Sequence, residues 1–153
     1  MNGATVVLLV TAALLGAVLP SATAREQPLW IVTEGEASLP SEPTPRSAPA
    51  LPREGPVIRI ERPDVSAPVV PPFAVDIVFD SRAGGAPVKM ESLKIVYVRV
   101  FELDVTDRFM PYVKDNRLFV ENANAPTGRH RLKITIADQN GRLTAEILQV
   151  AAR

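Results

Sequence analysis

The chain has 153 residues, with 17 lysines and arginines against 17 aspartates and glutamates, one histidine, no cysteine, and 15 prolines against 8 glycines. This length predicts one small domain with room for appendages. Zero net charge disfavours a general nucleic-acid binder and a polybasic membrane binder. The lack of cysteine excludes a disulfide scaffold, a thiolate metal site, a cysteine nucleophile and a lipidated cysteine. A single histidine excludes any site that needs two imidazoles from one chain.

Residues 1–24 have the pattern of a secretory signal peptide. An uncharged, mostly apolar run of 14 residues covers residues 6–19, and Pro20 and an Ala-Thr-Ala triplet follow it. The run is shorter than the roughly 20 residues that a membrane-spanning helix needs. We expect cleavage after Ala24 and export to the periplasm or the exterior of a bacterium, with no membrane span afterwards. An uncleaved anchor is the alternative, because no lysine or arginine precedes the apolar run.

The next segment, residues 25–56, is rich in proline. Ten of the fifteen prolines lie between Pro40 and Pro72. Proline removes backbone donors and clashes with the preceding turn of a helix, so this spacing admits neither a helix nor a paired central strand. We therefore predict a flexible, extended, polyproline-like tether. Ahead of the prolines, a short apolar island around Trp30 contains the only tryptophan of the chain.

Residues 57–153 change to a period of two, which predicts half-buried antiparallel strands. Apolar residues alternate with polar ones from Ile58 to Glu61, from Phe73 to Asp80 and from His130 to Ile136. Two further apolar runs cover Leu118–Val120 and Leu143–Val150. About seven short strands in this length predict an all-β fold, an immunoglobulin-like antiparallel β-sandwich.

Three stretches of this domain carry local signals other than simple alternation. Leu93–Phe101 has apolar residues on both phases, which fits a central strand covered on both sides or a bulge near Tyr97–Arg99. Thr106–Val113 has room for one helical turn. Asn140-Gly141 predicts a type I′ hairpin turn between the last two strands, because this dipeptide accepts positive φ.

The segment from Pro56 to Val150 resembles the bacterial immunoglobulin-like domains of exported proteins. The resemblance lies in an isoleucine-containing first strand that ends at Pro63, in FAVDIVF and SLKIVYV, and in the closing PTGRHRLKITIADQNGR. It implies a modular extracytoplasmic sandwich used for spacing, adhesion or protein docking. It brings no catalytic or ligand-binding residues, and the chain departs from antibody-type domains because it has no cysteine pair and no tryptophan within the sandwich.

The sequence predicts no catalytic, cofactor or metal site. His130 shares the phase of the apolar residues of its strand, so we predict a structural role at the end of a core face. Asp76 and Asp80 share the outward phase of one strand and are predicted to be solvated. Arg129, Arg131 and Lys133 form a basic stripe on an outward face, which either contacts an anionic glycan or an acidic partner or is a solvated sheet surface.

The Trp30-Ile31-Val32 segment is the second candidate for partner binding. Tryptophan is enriched at binding hot spots, and an extended segment of this kind can add a strand to the sheet of another protein. The alternatives are that the segment folds back onto its own sandwich or is disordered. Two functions follow: a non-enzymatic module that binds another envelope or secreted protein, or binding of a carbohydrate or anionic polymer by one sheet face.

Overall fold

Two β-sheets make up most of the computed structural model, in which residues 27–41 and 50–153 are described. The predicted signal peptide and residues 42–49 of the predicted tether lie outside these ranges. The strands of the described residues are β1 (Leu29–Trp30), β2 (Val57–Arg62), β3 (Phe73–Asp80), β4 (Val88–Val98), β5 (Glu102–Asp104), β6 (Val113–Lys114), β7 (Arg117–Asn124), β8 (Gly128–Asp138) and β9 (Leu143–Ala152). The helices of these residues are α1 (Glu34–Ala37), α2 (Thr106–Phe109) and a 3-10 turn (Met110–Tyr112). The last two lie in the stretch predicted as a helical turn, whereas α1 was not predicted.

The first sheet has the strand order β1-β7-β3-β2, with β6 also paired to β7, and the second has the order β5-β4-β8-β9. All pairs are antiparallel except β1 with β7, which is parallel. One continuous apolar cluster includes residues from both sheets. The predicted all-β sandwich is confirmed.

The core follows from the alternation of side chains along the strands. On β8, the side chains of His130, Leu132, Ile134 and Ile136 are at most 2% exposed. Arg129, Arg131 and Lys133, which alternate with them, are less buried. Successive side chains of a strand point to opposite faces, so the apolar phase lies against the other sheet and the basic phase lies on the outside.

The apolar residues on both phases of β4 include one buried side chain on the outer face. β4 lies between β5 and β8, and its register with β8 is regular from Lys94 to Tyr97. Ile95 and Tyr97 belong to the core, whereas Val96 points to the opposite face and is only 3% exposed. β4 is therefore a central strand with regular register as far as Val98, and the register shift occurs earlier, between Lys89 and Lys94.

The last two strands form the predicted hairpin, but its turn is not type I′. Gly141 has φ of 79° while Asn140 does not adopt positive φ, so one residue of the loop takes the left-handed conformation. The Asp138 carboxylate accepts hydrogen bonds from the backbone N–H groups of Asn140 and Arg142 at 2.9 and 3.0 Å. This carboxylate stabilises the loop, an interaction that the Asn-Gly pattern does not reveal.

Residues 27–41, which we call the N-terminal segment, pack on the sandwich, in contrast to the predicted flexible tether. β1 extends the first sheet beside β7, and the side chains of Ile31 and Val32 are fully buried in the core. Thr33 caps α1, with its hydroxyl accepting from the N–H of Glu36 and the Glu36 carboxylate accepting from the N–H of Thr33. Burial of the two apolar side chains offsets the entropy cost of ordering this segment.

Residues 50–56 also differ from the predicted tether, because they lie along the free edge of β9. The N–H groups of Glu54 and Gly55 donate to the carbonyl of Leu143, and the carbonyl of Pro52 accepts from the N–H of Ala145. A Cβ on Gly55 would lie 2.2 Å from the carbonyl oxygen of Arg142, so only glycine permits this approach. The domain that was predicted to begin at residue 57 therefore includes the chain on both sides of residues 42–49.

Replacing Ile31 with alanine tests whether the N-terminal segment is part of the core. Removal of a fully buried isoleucine side chain should lower the free energy of unfolding by about 2–5 kcal/mol. Val65→Ala is the control, because this side chain is 58% exposed and its truncation should cost less than about 0.5 kcal/mol. Urea denaturation followed by circular dichroism and by Trp30 fluorescence measures both. Non-coincident transitions by the two probes, or equal stabilities for the two variants, would contradict this packing.

Candidate anion-binding cleft

A cleft of about 610 Å³ lies at one end of the second sheet, where β4 and β9 end and β8 begins. Five parts of the chain form it: the ends of β4 and β9, the start of β8, the loop that follows β2, and the end of the N-terminal segment. Its described lining residues are Ser41, Val65, Ser66, Ala67, Pro68, Val98, Arg99, Arg129, His130, Arg131, Gln149, Val150 and Ala151.

Two of the predicted basic residues, Arg129 and Arg131, line this cleft. They alternate with the buried His130 and Leu132, so they share the outer face of β8 about 6.6 Å apart along the strand. Arg129 is exposed and has no hydrogen-bond or ion-pair partner among residues 27–41 and 50–153. Its guanidinium is therefore available to a ligand.

A third arginine, Arg99, is fixed at the wall of the cleft by several contacts. Its Nη1 donates to the Ser41 hydroxyl at 2.8 Å and its Nη2 donates to the Ala37 carbonyl at 3.0 Å. The guanidinium carbon lies 4.8 Å from the centre of the Tyr97 ring, which is a cation–π contact. Its Nε is buried and has no hydrogen-bond partner among the described residues, so Arg99 retains an unused donor.

The cleft carries positive charge without an acidic residue among its described lining side chains. The nearby Asp64 carboxylate accepts from the N–H and the hydroxyl of Ser66 at 2.9 and 2.6 Å. The hydrogen bond from the Ser66 hydroxyl and, to a smaller extent, the one from its N–H lower the pKa of Asp64. Asp64 thus shapes the loop wall. Because guanidinium groups match carboxylate and phosphate oxygens in geometry and charge, the arrangement suits an anionic ligand.

His130 lies at the inner side of the cleft in the structural role predicted from its phase. Its Nε2 lies 2.7 Å from the Pro126 carbonyl and its Nδ1 lies 3.1 Å from the Tyr97 hydroxyl. A carbonyl only accepts, so Nε2 carries the proton, and Nδ1 accepts from Tyr97. Burial lowers the pKa of His130, and the charge of Arg99 lowers it further, against the opposing effect of the Pro126 carbonyl.

Lys133, the third member of the predicted stripe, lies outside the cleft lining. Its ammonium forms an ion pair with Glu102 on β5. On the same face, Lys94 lies 3.9 Å from Asp104, so acidic residues of β5 balance the lysines beyond the cleft. The basic surface is therefore concentrated at the start of β8, around Arg129 and Arg131, and does not extend along the whole strand.

The other predicted partner-binding residues, Trp30, Ile31 and Val32, lie on β1 and directly after it. Trp30 is 44% exposed, whereas Ile31 and Val32 are fully buried. The prediction that these two aliphatic residues contact a partner is therefore wrong for the folded chain, because their side chains lie in its own core. The alternative that the segment folds back onto the sandwich is the one observed.

Asp76 also differs from its prediction as a solvated carboxylate. It is 5% exposed, and its two oxygens accept from Nε and Nη2 of Arg117 at 2.7 and 2.6 Å. The hydrogen bonds from Arg117 lower the pKa of Asp76. Arg117 in turn lies 5.5 Å from the centre of the exposed Phe119 ring. The pair joins neighbouring strands of the first sheet and is structural.

Sequence reasoning missed Arg99 and Ser41 as parts of the cleft. Arg99 follows an apolar strand and Ser41 lies in a proline-rich stretch, so neither has a local pattern that connects it to β8. Only the fold brings them to Arg129.

Within the described ranges, no group of three or more histidine, aspartate or glutamate side chains is arranged to hold a metal ion. In the same ranges, no helix has the length and apolar character needed to cross a membrane.

Comparison with known proteins returns no match to any family model, curated protein or solved structure.

The buried histidine should make stability depend on pH. Because the pKa of His130 is lower in the folded state than the usual value near 6.5, the unfolded state binds the proton first on acidification. The free energy of unfolding should be constant above about pH 6.5 and should fall below it, by at most about 1.4 kcal/mol per pH unit. His130 is the only histidine, so no other imidazole contributes.

Urea denaturation between pH 7.5 and pH 5 measures this dependence while most carboxylates remain ionised. His130→Gln should be less stable at pH 7.5, because it disturbs the Tyr97 hydrogen bond, and it should lack the slope below pH 6.5. A wild-type protein whose stability does not change across this range would contradict the buried, neutral imidazole.

Proposed function

We propose that this protein is an exported, non-enzymatic binding module of the cell envelope, and that it binds an acidic polysaccharide through the arginine cleft. The observation that carries the proposal is that Arg99 and the exposed Arg129 lie at one cleft whose described lining has no carboxylate. The proposed export rests on the signal-like sequence of residues 1–24.

The electrostatics of the cleft support an anionic ligand over a neutral one. Arg99 and Arg129 place two guanidinium groups in one concave site, and a bound carboxylate lowers the repulsion between them.

The dimensions of the cleft support one short stretch of polymer at a time. Its volume of about 610 Å³ is in the usual range for a small-molecule site. Beyond the cleft, Glu102 neutralises the charge of Lys133, which lies two residues after Arg131 on β8. An anionic ligand therefore has no unpaired cation to contact at Lys133. We therefore expect recognition of a few acidic sugar units rather than a long polyanion bound by charge alone.

Charge-removing substitutions in the cleft test this function. Arg129→Ala should weaken binding of polygalacturonate about tenfold, because a hydrogen bond to a charged group is worth about 1.5–3 kcal/mol. Affinity for the wild-type protein should also fall with added salt, because the exposed Arg129 is screened. Isothermal titration calorimetry on the chain from residue 25 onward measures both effects.

Arg62→Ala is the matched control for that experiment. Arg62 is an exposed arginine on β2 of the other sheet, and its removal changes the net charge by the same amount. It should leave the affinity unchanged. Equal losses for the two variants would show binding by net charge alone, and binding of neutral dextran with equal strength would overturn the acidic ligand.

Docking of another envelope protein at Trp30 is a second candidate, favoured by the exposure of this indole at the edge of the first sheet. Trp30 is 44% exposed although its two successors are fully buried, so the fold holds a tryptophan partly out of the core. Large aromatic residues held in this way are common at protein–protein hot spots.

Trp30→Ala tests this second function. The substitution should abolish crosslinked capture of a partner from envelope extract and should change the free energy of unfolding by less than about 1 kcal/mol, because the indole is half exposed. Phe119→Ala is the control, since Phe119 is 43% exposed on the same sheet. Capture that survives Trp30→Ala would remove this residue from the interface.

A further inference from the structure

The N-terminal segment reaches the arginine cleft at its end. Ser41 is one of the lining residues, and its hydroxyl accepts the hydrogen bond from Nη1 of Arg99. The Ala37 carbonyl accepts from Nη2 of the same guanidinium. The Pro40 carbonyl accepts from the N–H of Val100 at 3.1 Å, one residue further along the chain. Three hydrogen bonds thus join the segment to the strand end that carries Arg99.

The other end of the segment is held by contacts far from the cleft. The N–H of Ile31 donates to the Asn124 carbonyl at 2.9 Å, and the Ile31 side chain is fully buried. Between the two ends, Glu36 forms a two-point ion pair with Arg108 on α2, with one of the contacts at 2.8 Å. The hydrogen bonds from Arg108 lower the pKa of Glu36 to about 2, so the carboxylate stays ionised at neutral pH.

Resting on the proposed function, we propose that residues 27–41 are part of the ligand site, and that ligand binding in the cleft and docking of this segment strengthen each other. When the segment is docked, Arg99 is held in one orientation and Ser41 closes one wall. When the segment leaves, Arg99 loses two acceptors and the cleft loses that wall. A ligand that contacts Arg99 therefore favours the docked state, and linkage makes the effect reciprocal.

Glu36→Gln tests the coupling without altering any residue of the cleft. It removes the charge that pairs with Arg108, so the segment should undock more often and the affinity for polygalacturonate should fall about fivefold, the lower end of typical coupling effects. Hydrogen exchange of the Ile31 and Val100 amides reports undocking at the two ends of the segment. Saturating polygalacturonate should slow exchange at both amides in the wild-type protein.

Asp76→Asn is the matched control. It breaks the Asp76–Arg117 pair, which is also a two-point carboxylate–arginine contact but joins strands of the first sheet and does not touch the segment. It should lower stability and leave the affinity unchanged. Ser41→Ala is a second variant, which removes the acceptor of Arg99 Nη1 directly and should weaken binding without lowering the melting temperature.

The outcomes separate this inference from the proposed function. Faster exchange at Ile31 and Val100 in Glu36→Gln, with unchanged affinity, would overturn the coupling and leave the cleft as the binding site. Equal losses of affinity in Glu36→Gln and Asp76→Asn would also overturn it, because general stability would then explain both. No binding of polygalacturonate to the wild-type protein would overturn the inference together with the function on which it rests.

Discussion

Burial of one set of alternating side chains between the two sheets fixes which residues of each strand lie on the surface. Strands β3 and β8 each place four inward side chains in the core, and those of β8 include the only histidine. Once this phase is fixed, the other phase must face outward. The outward position of Arg129 and Arg131 is thus a direct consequence of core packing, and a register slip of one residue would bury both guanidinium groups.

The same core extends beyond the predicted domain into the N-terminal segment. Ile31 and Val32 are separated from β2 by more than twenty residues, yet they occupy the interior of the sandwich. A segment anchored in this way brings its following residues to a defined place. Ser41 and the Ala37 carbonyl, the two acceptors of Arg99, are therefore held at the cleft because two apolar side chains are buried elsewhere.

The sheet edges explain how the flanking residues are used. Residues 52–55 and Val69 hydrogen-bond to the edge of β9, at its two ends. An unpaired edge exposes backbone donors and acceptors and promotes association with other chains. Covering the ends of β9 satisfies several of these groups. It also places the loop after β2, with Val65 and Ser66, beside the arginines, so one arrangement both protects the edge and forms a wall of the cleft.

Local alternation along the chain predicts the fold class, the longer strands, the structural role of His130 and the outward placement of Arg129 and Arg131. Period-two alternation is a local signal, and it is decisive where one face of a strand is buried. Contacts made in the folded chain account for the packing of residues 27–41 and 50–56 on the sandwich, for the burial of Asp76 by Arg117, and for the pairing of Lys133 with Glu102. These outcomes depend on contacts between residues far apart in the chain. The prolines of residues 39–56 predict a tether, and residues 42–49 of it lie outside the described ranges. Ile31 and Val32 lie ahead of these prolines, and their burial in a common core is an interaction that no local pattern records.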